Sequence, residues 1–432
     1  MMTNLVENEA GGYEDEIEAL CAHVPEVASH FTITSKIGEG SFSSVYLAKL
    51  KHYPEVIEMF ALKHIIPTTH PSRIENELRC LLNIGGQDNV MGVKLCLRNR
   101  DHVVVVMPVF PHEKFQEYLH QMELDDARDY MKNLLIALRR VHQFHVIHRD
   151  VKPSNFLYNR ILKQYALVDF GLSSGAFLID RESEKLGKNL PKVSVTSSSS
   201  AATVDVRIPL SPSKKNMHKT NSANMQGAQN SGAGKSKKLS SSSSSSKLLA
   251  SDKNGLCDCF SKPMICSLCA ARNNQMAPRA GTAGFRSPEM LMKSPDQTTA
   301  VDIWAAGVIF LSIMSGRYPF FRAQDDLGHL SQIISLLGSK VCIEAAMTFG
   351  KVLTLSENIP ASDLKNVCMK LRLSQMSYKL GPLNQRNRVI QSWTDLSDEP
   401  FDLLFKMLDP NPYTRITAEE ALKHPFFRTC DS

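Results

Sequence analysis

No apolar run in these 432 residues reaches the roughly 18–20 needed to cross a bilayer. The most apolar stretches, residues 103–106 and 307–314, have the lengths of a buried strand and a buried helix, so no membrane role is expected. Residues 1–10 carry neither a basic start nor an apolar core, which argues against a secretory signal. Ten cysteines are too few, in so long a chain, for a disulfide scaffold. Their clustering points to a reduced compartment and to a metal. Internal repeats are also missing. What is there is an ordinary globular balance, 43% apolar and 22% charged, which excludes disorder of the whole chain.

The formal charge of +6 is an average of unlike parts. Residues 181–255 hold 13 Lys and Arg against 4 Asp and Glu, and the rest of the chain is net −3. The same stretch is rich in Ser, Lys, Asn and Gly, contains an unbroken serine run from Ser240 to Ser246, and has no aromatic residue beyond position 181. Such a composition cannot bury enough apolar surface to offset chain entropy, so it reads as a disordered basic tether. With no aromatics between its charges, direct nucleic-acid binding is not expected. Ahead of the main body, Ile17, Leu20, Cys21 and Val24 share one helical face, with Pro25 near the end of that helix. Strand signals dominate residues 31–109, with one helix near residues 73–82. Helical signals follow, including the periodic set Tyr130, Met131, Leu134, Leu135, Leu138 and Val141. The apolar helix 301–314 and a last helical region, 400–427, come after the tether. Residues 371–392 read as a polar, weakly patterned insert.

Four motifs carry chemistry. The first, Ile37, Gly38, Glu39, Gly40, Ser41, Phe42, Ser43, Ser44 and Val45, lies between strand-like segments. Its glycines let a hairpin bring backbone amides close to phosphates. The second is Ala61-Leu62-Lys63 at the end of an apolar run. A carboxylate from the next helix can hold that lysine, and Glu77 shares its face with apolar Leu81, whereas Glu75 faces Arg79. The third, His148-Arg149-Asp150-Val151-Lys152-Pro153-Ser154-Asn155, packs an acid, a base and an amide into one tight loop. The fourth, Ala166-Leu167-Val168-Asp169-Phe170-Gly171, ends an apolar strand on an aspartate suited to magnesium.

In this order, followed by Ser287-Pro288-Glu289 and by Asp302-Ile303-Trp304-Ala305-Ala306-Gly307, the motifs resemble those of the eukaryotic protein kinases. The resemblance covers residues 31–171 and 277–427. It implies an α+β, bilobal kinase fold: a strand-rich N-lobe, a helical C-lobe, and a long disordered insert in the activation segment. The expected organisation is an N-terminal extension (1–30), N-lobe and hinge (31–110), first part of the C-lobe (111–180), basic insert (181–256), cysteine cluster (257–270) and the rest of the C-lobe (271–432). Mapped onto matching positions, the resemblance implies that Lys63, paired with Glu77, holds ATP phosphates. Asp169 and Asn155 would hold magnesium, Asp150 would accept the substrate proton, and Lys152 would steady the γ-phosphate and favour serine or threonine. Met107 would stand at the back of the adenine pocket, before a hinge at 108–110. Glu289 would pair with Arg415, and Asp302 would tie the central helix to the catalytic loop. Two departures stand out: Ser43 replaces the third loop glycine, and the interval from Gly171 to Ser287 is far longer than usual.

That interval ends in Cys257, Cys259, Cys266 and Cys269, four thiols close enough for a tetrahedral structural zinc, or else incidental thiols of a loop. Together with residues 40–46, 85–93, 150–160, 165–171 and 277–282, the insert is similar to that of replication-initiation kinases of the cell-division-cycle-seven type. The resemblance implies a Dbf-four-type regulatory subunit, the minichromosome maintenance helicase as substrate, and the nucleus as compartment. Another acidophilic serine/threonine kinase, or a pseudokinase scaffold, are the rival readings. Arg279 and Arg286 flank residues 281–285, which would receive the residue after the phosphoacceptor. Two guanidiniums there favour an acidic neighbour, unless they serve internal salt bridges. Thr282 reads as a support for the catalytic loop rather than an activating phosphosite. Lys214-Lys215 and Lys235-Ser236-Lys237-Lys238 suit nuclear import or a solvated linker equally, and Ser211-Pro212 suits a proline-directed kinase.

Overall fold

A computed structural model describes residues 13–40, 43–53, 55–65, 69, 71–175, 280–379, 389, 391–394 and 396–428. The chain divides into two units, residues 1–199 with 276–432, and residues 200–275; all described residues belong to the first. The basic serine-rich segment and the cysteine cluster lie outside the described residues.

The N-terminal half is built on a five-stranded sheet: β1 (Phe31–Gly40), β2 (Ser43–Leu50), β3 (Phe60–Ile65), β4 (Leu95–Asn99) and β5 (His102–Pro108), in the order β1-β2-β3-β5-β4. Every neighbouring pair in this sheet runs antiparallel. The run Val103–Val106 on β5 is buried at every position because both faces of the sheet are covered. Val103 and Val105 join the large core with Cys80 and Leu81 of helix α3 (Pro71–Asn83). Val104 and Val106 pack with Leu20, Val24 and Val27. These last three belong to two leading helices or the junction between them, α1 (Glu14–His23) and α2 (Pro25–His30). The single helix expected there is split: Pro25 begins the second helix instead of closing the first. Proline suits the first helical position, where no backbone N–H is needed.

The helical half follows α4 (Phe115–Tyr118) and α5 (Leu124–Gln143), then the hairpin β6 (Phe156–Asn159) and β7 (Gln164–Leu167). After the insert come α6 (Pro288–Leu291), α7 (Ala300–Ser315), α8 (Asp326–Leu337), α9 (Ser339–Thr348), α10 (Leu364–Lys379), α11 (Glu399–Met407) and α12 (Ala418–Ala421). Helix α7 is buried all round, as its nearly continuous apolar sequence requires. It ends at Gly316, which takes the left-handed conformation (φ 66°).

Residues 371–379, expected to be polar insert, are the second half of α10. The weak pattern has a physical source. Arg372 is 1% exposed, stacks on Trp393 with its guanidinium 4.0 Å from the ring centroid, and donates to the carbonyls of Ile313 and Met122. An arginine does core duty at a position that reads as surface.

Candidate active site

The site grows from the seam between the sheet and the helical half. Lys63 points inward from β3, and its Nζ lies 2.5 Å from Oε1 of Glu77 on α3 and 2.8 Å from Oδ1 of Asp169. Burial opposes the charge on Lys63, but the Glu77 and Asp169 carboxylates prevail and raise its pKa above the ordinary lysine value. Asp169 shows the converse balance: burial would raise its pKa, and the charge and hydrogen bond of Lys63 hold it below the usual carboxylate value. Glu75, the rejected candidate, pairs with Arg79 at 2.7 Å on the exposed side of α3.

The second cluster surrounds Asp150. Its Oδ1 accepts from Thr282 Oγ1 at 2.6 Å, and its Oδ2 accepts from Asn155 Nδ2 at 3.0 Å and forms an ion pair with Lys152 Nζ at 2.9 Å. Lys152 also donates to Thr282 Oγ1 at 2.9 Å. Thr282 thus spends its hydroxyl on the catalytic loop. Gly281 makes that approach possible: its φ is +84°, and a side chain there would stand 2.6 Å from the Arg149 carbonyl.

Asp302, at the start of α7, fixes the backbone beneath. Its carboxylate accepts from the backbone N–H groups of His148 and Arg149, both at 2.8 Å, and from His142 Nε2 at 2.9 Å. Arg149 and Asp169 are both held at φ 68°, a region non-glycine residues seldom occupy, within this network. Phe170 is fully buried against His148, with ring centroids 4.9 Å apart. Glu289 and Arg415 form a buried two-bond ion pair, 2.8 and 3.0 Å, below α6.

Between the two clusters lies a cavity of about 340 Å³, lined among others by Gly40, Ser43, Lys63, Asp150, Lys152 and Asp169. Ile37, Gly38, Glu39, Ser44 and Val45 lie on the β1–β2 ribbon, where Gly38 pairs with Val45 and Gly40 with Ser43. Ser41 and Phe42, between them, fall outside the described residues. Ala61 pairs with Met107 across β3 and β5, which places Met107 just ahead of the 108–110 crossover.

The cleft's donor set fits magnesium. Asn155 uses its N–H groups on the Asp150 carbonyl and carboxylate, and Lys63 meets only Oδ1 of Asp169. Asn155 Oδ1 and Asp169 Oδ2 accept no hydrogen bond among the described residues, and both are hard oxygen ligands. Nowhere among the described residues do three or more His, Cys, Asp or Glu side chains gather in a metal-holding group. Cys257, Cys259, Cys266 and Cys269 lie outside the described residues, as does Arg279.

Arg286 departs from the expectation of an open guanidinium. It pairs with Asp326 Oδ1 at 2.9 Å and donates to the carbonyls of Ala280 and Gly281. The internal salt bridge is the alternative the sequence left open, and it braces the 281–285 segment. Sequence reasoning missed a further brace: Asn76 of α3 donates to both the carbonyl and the hydroxyl of Ser173 at 2.8 Å. This links the Glu77 helix to the turn after Asp169, and no local motif announces it. Arg73 and Thr69, also unforeseen, line the cleft.

Comparison with known proteins agrees with this geometry. The family model described as "Protein kinase domain" matches residues 31–185 and 265–427. A human protein named "Cell division cycle 7-related protein kinase" is 39% identical over 96% of this chain and 93% of its own length. A Drosophila melanogaster "non-specific serine/threonine protein kinase Cdc7" is 33% identical over 97% of this chain and 77% of its own. An Encephalitozoon cuniculi "Probable cell division control protein 7 homolog 1" is 32% identical over 96% of both.

Proposed function

We propose, for a chain that belongs to the protein kinase family as a serine/threonine kinase of the cell division cycle 7 type, that it phosphorylates serine or threonine in acidic contexts under control of a Dbf-four-type subunit. The observation that carries the reading is the single cleft holding Glu77–Lys63–Asp169 on one side and Asp150–Asn155–Lys152–Thr282 on the other. A pseudokinase scaffold would be expected to lack one of these groups.

In the transfer, the bond between the γ-phosphorus and the β,γ-bridging oxygen breaks as a bond to the substrate hydroxyl oxygen forms. Asp150 Oδ takes the hydroxyl proton, and Lys152, 2.9 Å away, offsets charge on the moving phosphoryl group. Lys63 anchors the α- and β-phosphates, held in place by Glu77. Asp169 and Asn155 would hold magnesium, which would supply charge neutralisation at the phosphates. Positioning and electrostatics supply most of the catalysis.

The minichromosome maintenance helicase is the proposed substrate and the nucleus the proposed compartment, both on the strength of the family resemblance. Cys257, Cys259, Cys266 and Cys269 are proposed to bind one structural zinc. Metal analysis of purified chain should find one zinc, lost in the Cys257→Ser/Cys259→Ser variant. Full retention in that variant would refute the assignment.

The test of function is phosphate transfer from ATP to matched peptides with Asp or Ala immediately after the serine. Each is assayed with the chain alone and with a Dbf-four-type subunit, beside Asp169→Ala. Partner-dependent transfer favouring the Asp peptide, absent in the variant, is expected. Transfer independent of the partner would keep the kinase and remove the regulatory assignment. No transfer with partner bound and magnesium present would overturn the reading.

A further inference from the structure

A second cavity, about 410 Å³, lies away from the catalytic cleft, and its walls are cationic. Gln116 and His120 from the α4 region form one side, Arg317, Tyr318 and Arg322 from the loop after α7 another, and Gln375 of α10 the third. Arg317 stacks loosely on Phe320, 5.9 Å from the ring centroid, and has no ion pair among the described residues. Arg322 has none either; its Nε and Nη2 meet only the carbonyls of Pro319 and Tyr318, both at 3.4 Å. Glu117, the acid on the neighbouring helix, is spent on the backbone N–H of Lys114.

A third guanidinium stands behind the wall. Arg372 is 1% exposed, and a methyl group placed on Gly316, which lines the cavity, would stand 3.1 Å from its Cδ. Arg372 is satisfied only by carbonyls and by the face of Trp393, and its Nε has no partner. Burial lowers its pKa to about 9, which leaves it charged at neutral pH. Three positive charges around one polar cavity, with no carboxylate paired to them among the described residues, would attract an anion strongly.

The cavity adjoins the substrate face. Tyr318 meets Phe115 edge-on, with centroids 5.0 Å apart, and lies 6.5 Å from Phe285 of the segment assigned to the residue after the phosphoacceptor. A peptide whose downstream side lies on residues 281–285 leaves its upstream side to run past α4. We propose that this cavity is an upstream anion subsite, taking a phosphorylated or carboxylate side chain of the peptide substrate N-terminal to the acceptor serine. This rests on the reading of the cleft as an acidophilic kinase site. It adds a second, separate point of charge recognition.

The test uses the full chain with its regulatory subunit and a serine peptide carrying phosphoserine, aspartate or alanine at successive upstream positions. One upstream position should raise kcat/KM about tenfold, mainly through KM, with the phosphoserine gain exceeding that of aspartate if phosphate is the natural ligand. Arg317→Ala/Arg322→Ala should erase that gain while keeping the preference for Asp immediately after the serine. Arg317→Lys/Arg322→Lys should restore most of it. A gain unchanged in the alanine pair, or absent at every upstream position, would overturn the subsite and leave the kinase reading intact. If no peptide is phosphorylated, the function fails and the subsite is judged by fluorescence-polarisation binding of the same phosphopeptides. Weakening by the alanine pair supports it, and equal binding ends it.

Discussion

Asp302 offers the sharpest test of how this fold positions its chemistry. It is 1% exposed, and its two oxygens accept three hydrogen bonds, two from the backbone of the catalytic loop and one from His142. The Asp302→Asn change keeps the volume and removes the charge. One carboxamide oxygen can serve the N–H of His148 or that of Arg149, and the amide NH2 must then face the other donor. Hydrogen bonds to a charged acceptor are worth about 1.5–3 kcal/mol, and a buried donor left unpaired adds its desolvation penalty. The expected loss is about 3 kcal/mol, a large share of the 5–15 kcal/mol typical of a folded domain. Urea unfolding, followed by tryptophan fluorescence, measures it. The same change loosens the backbone that carries Asp150, so kcat for peptide phosphorylation should fall about a hundredfold while KM for ATP moves little. A loss below about 1 kcal/mol with kcat unchanged would refute the claim that Asp302 positions the loop.

Thr282→Glu should inactivate the enzyme, because it puts a carboxylate where Thr282 Oγ1 now donates to Asp150 at 2.6 Å; activation by this variant in a phosphotransfer assay would contradict the structural role. Breaking the buried pair with Arg415→Ala leaves Glu289 uncompensated and should cost about 3–5 kcal/mol in urea unfolding, against under 1 if the pair is dispensable. Burial, with lesser contributions from His102 and His23, lowers the pKa of His64 to about 4. The unfolded chain therefore binds this proton near pH 6.5 and the folded chain does not, so stability drains as pH falls from about 6.5 to about 4. His64→Gln should flatten that part of the stability–pH curve, and an unchanged slope would count against the assignment.

The groups that meet in the cleft were legible because each belongs to a short local motif whose chemistry dictates its residues. Lys63, Asp150, Asn155 and Asp169 lie in four such stretches, and the fold brings them to one cleft. Glu77 was legible one level up: the choice against Glu75 needed only helical periodicity, and the structure puts Glu77 on Lys63 and Glu75 on Arg79. Contacts between distant segments were not legible in that way. The Asn76–Ser173 bonds span 97 residues, and neither side chain is unusual in its own neighbourhood. Pro25 misled because proline can close one helix or open the next, and only the packing of Val24 and Val27 against β5 decides between them.

Arginine was the hardest residue to place, since its charge says surface while its shape allows core, brace or ligand site. Arg286, flanking the substrate segment, was expected to face a substrate acid and is instead tied to Asp326 and to the carbonyls that shape residues 280–281. Arg372, in a stretch that looked like an insert, is a core residue satisfied by carbonyls and an indole face. Arg317 and Arg322, which belong to no motif, have no ion pair among the described residues, and unlike Arg372 they line a cavity. What separates the three outcomes is where the counter-charge comes from. An arginine whose partner is internal supports the fold, and its removal should appear first in stability. An arginine whose partner is missing from the folded chain is available to a ligand, and its removal should appear in KM. The proposed acidic recognition is therefore expected to depend less on Arg286 than its position in the sequence suggests. An Arg286→Ala variant should lose thermal stability and overall kcat together, without the selective loss of the upstream acidic preference expected from the Arg317 and Arg322 pair.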